Sequence, residues 1–322
     1  MQSTPRICFF SENSFSGKTP RDHTNMRTEF AWFCSLDAFH CPIDQVHNLE
    51  DNFCDIGIII IPKNLKHLLK YPLLENLKRS CNKIGFMQEG ASWIFQDYDI
   101  EIQLWFLNLM KCMDFGLAHT KRDKNYYQGI LSIPVFHQPT LILDDCIKGF
   151  EKQKTQNKVI VGGNLVRYYG GLNSFITALN FNCEIWSPSM GRKKPEENFI
   201  QGLNHLPWLI WSDWMKELSK FKYAVHLNPN TIAGTFNLNC AYWGIPCIGN
   251  KDQHTQAECF PELSIAPDDL KMAKELSLRL KDDIGFYEEC SQKSKENYKK
   301  YFLEDSYLLK MSKVFSIILN EK

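Results

Sequence analysis

The chain has 322 residues, of which 44% are hydrophobic and 23% charged, and its 37 basic and 37 acidic side chains leave a formal net charge of +0. That length suits two cores better than one, and the composition excludes a disordered or fibrous protein. Zero net charge advertises no bulk field for nucleic acid or membrane, although a local basic patch is compatible with it.

The polar opening MQSTPR has no apolar core of the kind a secretory signal needs, and runs such as IGIIIIP (56–62) are too short to cross a bilayer. The 12 Cys show no CxxC and no Cys/His ligand spacing, so free thiols in a reducing, cytoplasmic compartment are expected, with no metal. RICFF (6–10) reads as a strand, followed by a polar loop and a helix from about Arg27 to Ala38. CPIDQV (41–46) and DIGIIII (55–61) read as strands, Asn64–Ser80 as a helix, and KIGFMQEG (83–90) as a strand. Asp99–Met113 is a predicted helix and FGLAHT (115–120) a strand, with TKRDK (120–124) a loop. The unbroken apolar run of DIGIIII fits a central parallel strand covered on both faces.

The pattern lapses at FEKQKTQNK (150–158), charged, amide-rich and without apolar period, which reads as a linker. A second series starts at VIVGG (159–163), with a helix at Leu172–Asn180 and strands at CEIWS (183–187) and LPWLIW (206–211). A helix at Trp214–Phe221 and strand YAVHL (223–227) follow. Next comes a helix opening at TIAG (231–234) and closing at GIP (244–246), then strands PCIGN (246–250) and LSIAP (263–267). Helices at Asp268–Asp282, Phe286–Phe302 and Ser306–Leu319 close the chain. The expected architecture is α/β: two Rossmann-like parallel-sheet domains, 1–150 and 151–302, facing a cleft. A carboxyl-terminal helix, 303–322, is expected to pack back on the first domain. Ligands of such sheets sit beyond the carboxyl ends of the strands, so the cleft is the expected site.

Residues 206–250 resemble the nucleotide-sugar domain of GT-B glycosyltransferases, in particular the retaining glycogen-synthase-like and mannosyltransferase-like enzymes. The likeness is carried by LPWLIWSD, WMKELSKFKYA, VHLNPN and TIAGTFNLNCAYWGIPCIGN in that order, and by VIVGGNLVRYYGGLNSFITAL (159–179) upstream. It implies that the first domain holds an acceptor and the second a nucleotide-diphosphate sugar. A helix that begins just past a strand offers unpaired N–H groups and a positive dipole end to a diphosphate, and Gly234 lets backbone approach it. Gly244 and Pro246 end the helix. Donor-binding candidates are Gly162, Gly163, Arg167, Asn228, Thr231, Ala233, Gly234, Thr235 and Asn239. The family pattern frames this helix with two glutamates, one for the donor sugar and one for the ribose. Thr231 and Asn239 stand there instead, able to hydrogen-bond hydroxyls but uncharged.

In the first half, SENSFSGKTPRD (11–22) ends like a phosphate-binding loop at Gly17-Lys18-Thr19, but the first glycine of that cradle falls on Glu12. Ser16, Gly17 and Lys18 are read instead as an acceptor-side loop. Glu89 is the candidate general base and His119 the second, with Trp93 and Phe95 a sugar-stacking wall or core aromatics. Arg192, Lys193 and Lys194 read as a solvated loop. The expected function is transfer of a sugar from a nucleotide-diphosphate donor to an acceptor hydroxyl, with no cofactor and no catalytic metal. A silent sugar-nucleotide or glycan-binding module and a P-loop kinase are the alternatives. The acceptor is left open among glycans, proteins, small molecules and hydroxylated nucleic-acid bases, the basic stretches TKRDK and Lys293–Lys300 being suited to an anionic one.

Overall fold

The computed structural model describes residues 5–11, 27–61, 72–88, 90–93, 98–163, 165, 169–188 and 193–320. It divides into two compact units. The first contains Thr28–Pro139 with the opening strand and the segment from Asp305 onward, and the second contains Thr140–Glu304. In chain order the first unit carries β1 (Ile7–Ser11), α1 (Thr28–Ser35), β2 (Phe39–Pro42), β3 (Cys54–Ile61), α2 (Leu73–Ser80) and β4 (Cys81–Gln88). It continues with α3 (Ile100–Lys111), β5 (Phe115–Ala118), α4 (Lys121–Ile130) and β6 (Val135–His137). The described strands form one parallel sheet in the order β2-β1-β3-β4-β5-β6.

Side-chain volume is traded between neighbouring strands of this sheet. Gly85 on β4 faces Phe115 on β5, and one residue on Phe86 faces Gly116. A Cβ on Gly85 would overlap the Phe115 ring, and one on Gly116 would lie 2.8 Å from the Phe86 ring. Each ring thus fills the space that its partner's missing side chain leaves, at the close packing of protein interiors. Beside them the thiols of Cys54 and Cys81 lie 3.3 Å apart, and all 12 cysteines are free.

The second unit carries α5 (Asp144–Ile147), β7 (Gln156–Val161), α6 (Gly171–Ala178), β8 (Glu184–Ser187), β9 (Leu203–His205), α7 (Trp211–Leu218) and β10 (Phe221–His226). It continues through α8 (Thr235–Trp243), β11 (Cys247–Asn250), α9 (His254–Cys259), β12 (Ser264–Ile265), α10 (Leu270–Asp282) and α11 (Ile284–Tyr301). Its parallel sheet runs β12-β11-β10-β7-β8-β9, so β7 and β10 are adjacent and the chain order reverses between them. The last helix, α12 (Glu304–Asn320), buries Tyr307, Met311, Val314, Phe315 and Ile318 at helical spacing, and Tyr307 stacks on Trp32 of the first unit. Among the described residues no helix is long and apolar enough to cross a membrane.

Three predicted elements are corrected. CPIDQV is not a strand: β2 stops at Pro42, whose ring nitrogen cannot donate to a ladder, and Ile43–Asn48 is a 3-10 turn burying Ile43 and Val46. LPWLIW is not a strand either. Pro207 interrupts it, Trp208 is exposed, and Trp211 opens α7 with Met215 and Leu218 buried at helical spacing. TKRDK is the start of α4, since the Thr120 hydroxyl accepts the Asp123 amide and caps the helix. The charged stretch read as a linker overlaps β7, whose first residue is Gln156. Of the helix read at 64–80, the part from Leu73 is described and residues 64–71 lie outside the described residues.

Gly85→Ala should lower stability in urea denaturation by on the order of 1–3 kcal/mol, because the Phe115 ring must leave its rotamer. Phe115→Leu in the same chain should recover much of that loss. A single Gly85→Ala variant within ~0.5 kcal/mol of wild type would contradict the packing account.

Candidate functional site

Strand order places the site before any side chain is considered. In an open parallel sheet ligands bind beyond the carboxyl ends of the strands where the order reverses, which in the second unit lies between β7 and β10. Gly162 and Gly163 follow β7, and His226 ends β10. A Cβ on Gly162 would lie 2.7 Å from the His226 ring and 2.8 Å from Phe236, so only glycine lets the imidazole lie against the turn. Phe236 flanks the same imidazole at 4.9 Å between ring centres.

The helices that follow these two strands begin at the same edge. α6 is preceded by Gly170 and α8 by Gly234, both left-handed, with φ of +64° and +74°. Neither helix has an acidic residue in its first turn, so neither dipole end is neutralised from within. In α8 the main-chain ladder opens with the Leu238 amide on the Gly234 carbonyl, which leaves the amides of Thr235, Phe236 and Asn237 without an intrahelical acceptor. Ser174 ties α6 to β10, accepting from the Leu227 amide (2.9 Å) and donating to the Gly170 carbonyl (3.0 Å). Two helix N-termini beside a glycine turn can hold an anion.

Behind this edge runs a buried chain of polar side chains. Gln256 Nε2 donates to the carbonyls of Cys247 (2.9 Å) and Leu263 (3.2 Å). Its Oε1 accepts from Asn237 Nδ2 (2.6 Å), and Asn237 Oδ1 faces His226 Nδ1 at 2.8 Å. Burial depresses the His226 pKa to about 4, against the weaker opposing effect of its bond to Asn237, so the imidazole is neutral near pH 7.

The candidates from sequence fall into distinct groups. Gly162, Gly163, Ala233, Gly234 and Thr235 all belong to the β7 and α8 turns at this edge. A Cβ on Gly234 would overlap Thr255 Oγ1, whose hydroxyl donates to the Gly234 carbonyl at 2.9 Å. The glycine therefore has a packing reason of its own, beyond the approach of a ligand. Asn228 is fully buried; its Oδ1 accepts from the Asn230 amide (2.9 Å) and its carbonyl from Asn250 Nδ2 (2.8 Å), shaping the turn into α8. Thr231 is buried, and Asn239, 6% exposed, lies between the Thr235 carbonyl (3.2 Å) and the Trp214 indole N–H (3.1 Å).

Arg167, Arg192, Ser16, Gly17, Lys18, Glu89 and Phe95 lie outside the described residues. In the first unit the order reverses between β1 and β3, and Ser16, Gly17 and Lys18 follow β1 in sequence. His119 follows β5, buried, with its ring 5.1 Å from Trp32 and its carbonyl facing His137 Nε2 at 3.1 Å. The turn Gly90–Trp93 beyond β4 is anchored to α4, because Asp123 accepts from the Ser92 amide (3.0 Å) and the Thr120 hydroxyl (2.7 Å). Lys121 and Arg122 are exposed in the first turn of that helix. Among the described residues no group of His, Cys, Asp or Glu is placed to hold a metal ion. Sequence reasoning missed His226, Asn237, Thr255, Gln256 and Ser174. The visible signal was a polar residue inside an apolar run, His226 in YAVHL and Asn237 in NLNCAYW.

No protein-family model and no curated protein sequence matches the chain. Solved structures do match, and the fold they define is GT-B, that of glycosyltransferases. An alpha-glucosyltransferase in complex with UDP and a 13-mer DNA containing a HMU base aligns over 98% of this chain and 99% of its own, with a TM-score of 0.67 and 14% identity. Sucrose-phosphate synthase from Thermosynechococcus elongatus aligns over 82% of this chain and 73% of its own, with a TM-score of 0.63 and 11% identity. S. aureus TarM, in complex with alpha-GlcNAc-glycerol and UDP, has a TM-score of 0.61 at 11% identity, and the match covers 82% of this chain but 55% of TarM.

The buried neutral imidazole makes stability depend on pH. The unfolded chain takes up a proton at His226 near pH 6.5, which the folded protein refuses until about pH 4. Stability from this group is therefore complete above pH 6.5 and falls as pH drops toward 4, by up to about 3 kcal/mol. Urea denaturation between pH 8 and 4.5 should show this slope in wild type and a shallower one in His226→Asn, which keeps a donor for Asn237 but does not titrate. Equal slopes would contradict the assignment.

Proposed function

We propose that the chain is a glycosyltransferase that moves a sugar from a nucleotide-diphosphate donor, bound by the second unit, to a hydroxyl of an acceptor bound by the first. The observation that carries the reading is the junction of β7 and β10, where a glycine turn and two uncompensated helix N-termini face the edge at which such sheets bind ligands. Those N–H groups would stabilise the departing diphosphate, the largest charge to develop in the reaction. No metal enters this mechanism, and activity should survive exhaustive chelation.

We propose a hydroxylated base in DNA as the acceptor. Supporting it is the match of near-equal lengths to the DNA-bound alpha-glucosyltransferase, together with Lys121 and Arg122 exposed on the first turn of α4. The test is release of nucleoside diphosphate from a panel of UDP-, GDP-, ADP- and dTDP-sugars, with DNA carrying hydroxymethylated pyrimidines as acceptor and unmodified DNA as control. Lys121→Ala with Arg122→Ala should weaken DNA binding and flatten its dependence on log salt by roughly one to two in slope. No release with any donor would overturn the enzyme reading, and release without label in DNA would overturn the acceptor.

Glu89 is proposed as the general base and His119 as its substitute. Glu89→Gln, nearly isosteric but unable to take a proton, should cut turnover by at least about a hundredfold with donor affinity little changed. Turnover within a few-fold of wild type removes Glu89 from the mechanism. A second reading, a silent nucleotide-sugar binder, is favoured by one observation. The positions that carry glutamates in the resembling family are Thr231 and Asn239, both buried, with Asn239 lying between the Trp214 indole and the Thr235 carbonyl. Donor binding without release would select it.

A further inference from the structure

We infer that His226 sets donor specificity: its Nε2, beside the Gly162–Gly163 turn, accepts a hydrogen bond from a hydroxyl of the bound nucleotide sugar. The inference rests on the donor-site reading above and adds to it a residue and a polarity.

The polarity follows from the order of partners, link by link. Two backbone carbonyls can only accept, so Gln256 must point its nitrogen at Cys247 and Leu263 and its oxygen at Asn237. Asn237 must then donate to Gln256, which leaves its oxygen for His226. His226 Nδ1 therefore carries the proton, and in the neutral ring Nε2 is a bare lone pair. Among the described residues no protein group bonds to this Nε2. It lies 3.7 Å from where a Cβ on Gly163 would stand, on the side of the glycine turn, although the residue as a whole is 3% exposed.

A ligand that covers Nε2 must bring it a donor, since an acceptor shut off from water without one costs on the order of 1–3 kcal/mol. Phosphate oxygens bring lone pairs and are repelled there. The hydrogen-bearing groups that flank a diphosphate are the ribose hydroxyls on one side and the sugar hydroxyls on the other. Anion binding is thus left to the helix N-termini, while the imidazole reads a hydroxyl next to them.

The test uses the full chain labelled with 15N-histidine, the His226 signals being identified by their loss in His226→Asn or His226→Gln. In the free protein at pH 7, Nδ1 should be protonated and Nε2 bare; the opposite tautomer overturns the inference. UDP is added first and UDP-glucose second, with binding followed by calorimetry. Movement of the Nε2 signal on UDP supports a ribose hydroxyl, and movement on UDP-glucose alone supports a sugar hydroxyl. Binding of UDP-glucose with an Nε2 signal that neither probe has moved overturns the inference and leaves the donor site standing. If neither probe binds, the GDP-, ADP- and dTDP-sugars and their diphosphates take their place in the same titration; if none of these binds, the donor-site reading falls and this one falls with it. His226→Asn, which retains the bond to Asn237 but lacks Nε2, should bind the responsive probe about tenfold more weakly. Unchanged affinity in a folded His226→Asn overturns the inference as well.

Discussion

A buried hydrogen-bonded relay, from two backbone carbonyls through Gln256 and Asn237 to His226, governs the second unit. It spans β11, the residue before β12, α9, α8 and β10, and each amide has one orientation because the carbonyls at its root can only accept. In a low-dielectric interior a half-satisfied relay is worse than none, so its members are fixed together. It also explains residues that carry no polar atom. A Cβ on Gly249 would lie 2.6 Å from Gln256 Cδ and 3.0 Å from Asn237 Nδ2, and Gly162 is bare because His226 occupies its side. The amino end of α8 is held where Asn237 reaches both neighbours.

The glycosyltransferase fold and the uncharged character of this site belong together. Identities of 11–14% accompany alignments over most of the chain, so what is shared is strand order and helix placement. Where the resembling family sets carboxylates around this helix, the chain sets Thr231 and Asn239, and the first turns of α6 and α8 hold no acid. What this edge offers an anion is then backbone dipoles, whose position is set by packing and needs no reorganisation when charge develops.

Much of the architecture was legible because β3, β7 and β10 contain short, compact apolar runs and the long terminal helices carry a helical period. Gly234, Gly244 and Pro246 punctuate α8 where the sequence says they should. The failures share a cause. Pro42 and Pro207 sit inside apolar runs that look like strands, and in each case tertiary burial at a spacing of three or four residues wins over local β-propensity. The glycines at this edge were legible as turns, yet the partners that make Gly162 and Gly234 obligatory, His226 and Thr255, lie 64 and 21 residues away in sequence. No local pattern encodes such a pairing. The relay was written only as single polar letters in apolar words.

The last helix bears on how the molecule is made. Trp32 is walled by Tyr307, and Met311 and Phe315 are buried in the same terminal helix, so the first unit has an open flank until residues beyond Asp305 leave the ribosome. The described residues of the second unit lie, by contrast, within one stretch of chain, Thr140–Glu304. The first unit is therefore closed by a contact between residues about 275 positions apart, and loop-closure entropy makes such a contact slow to form, so its core is complete only once the last helix has docked.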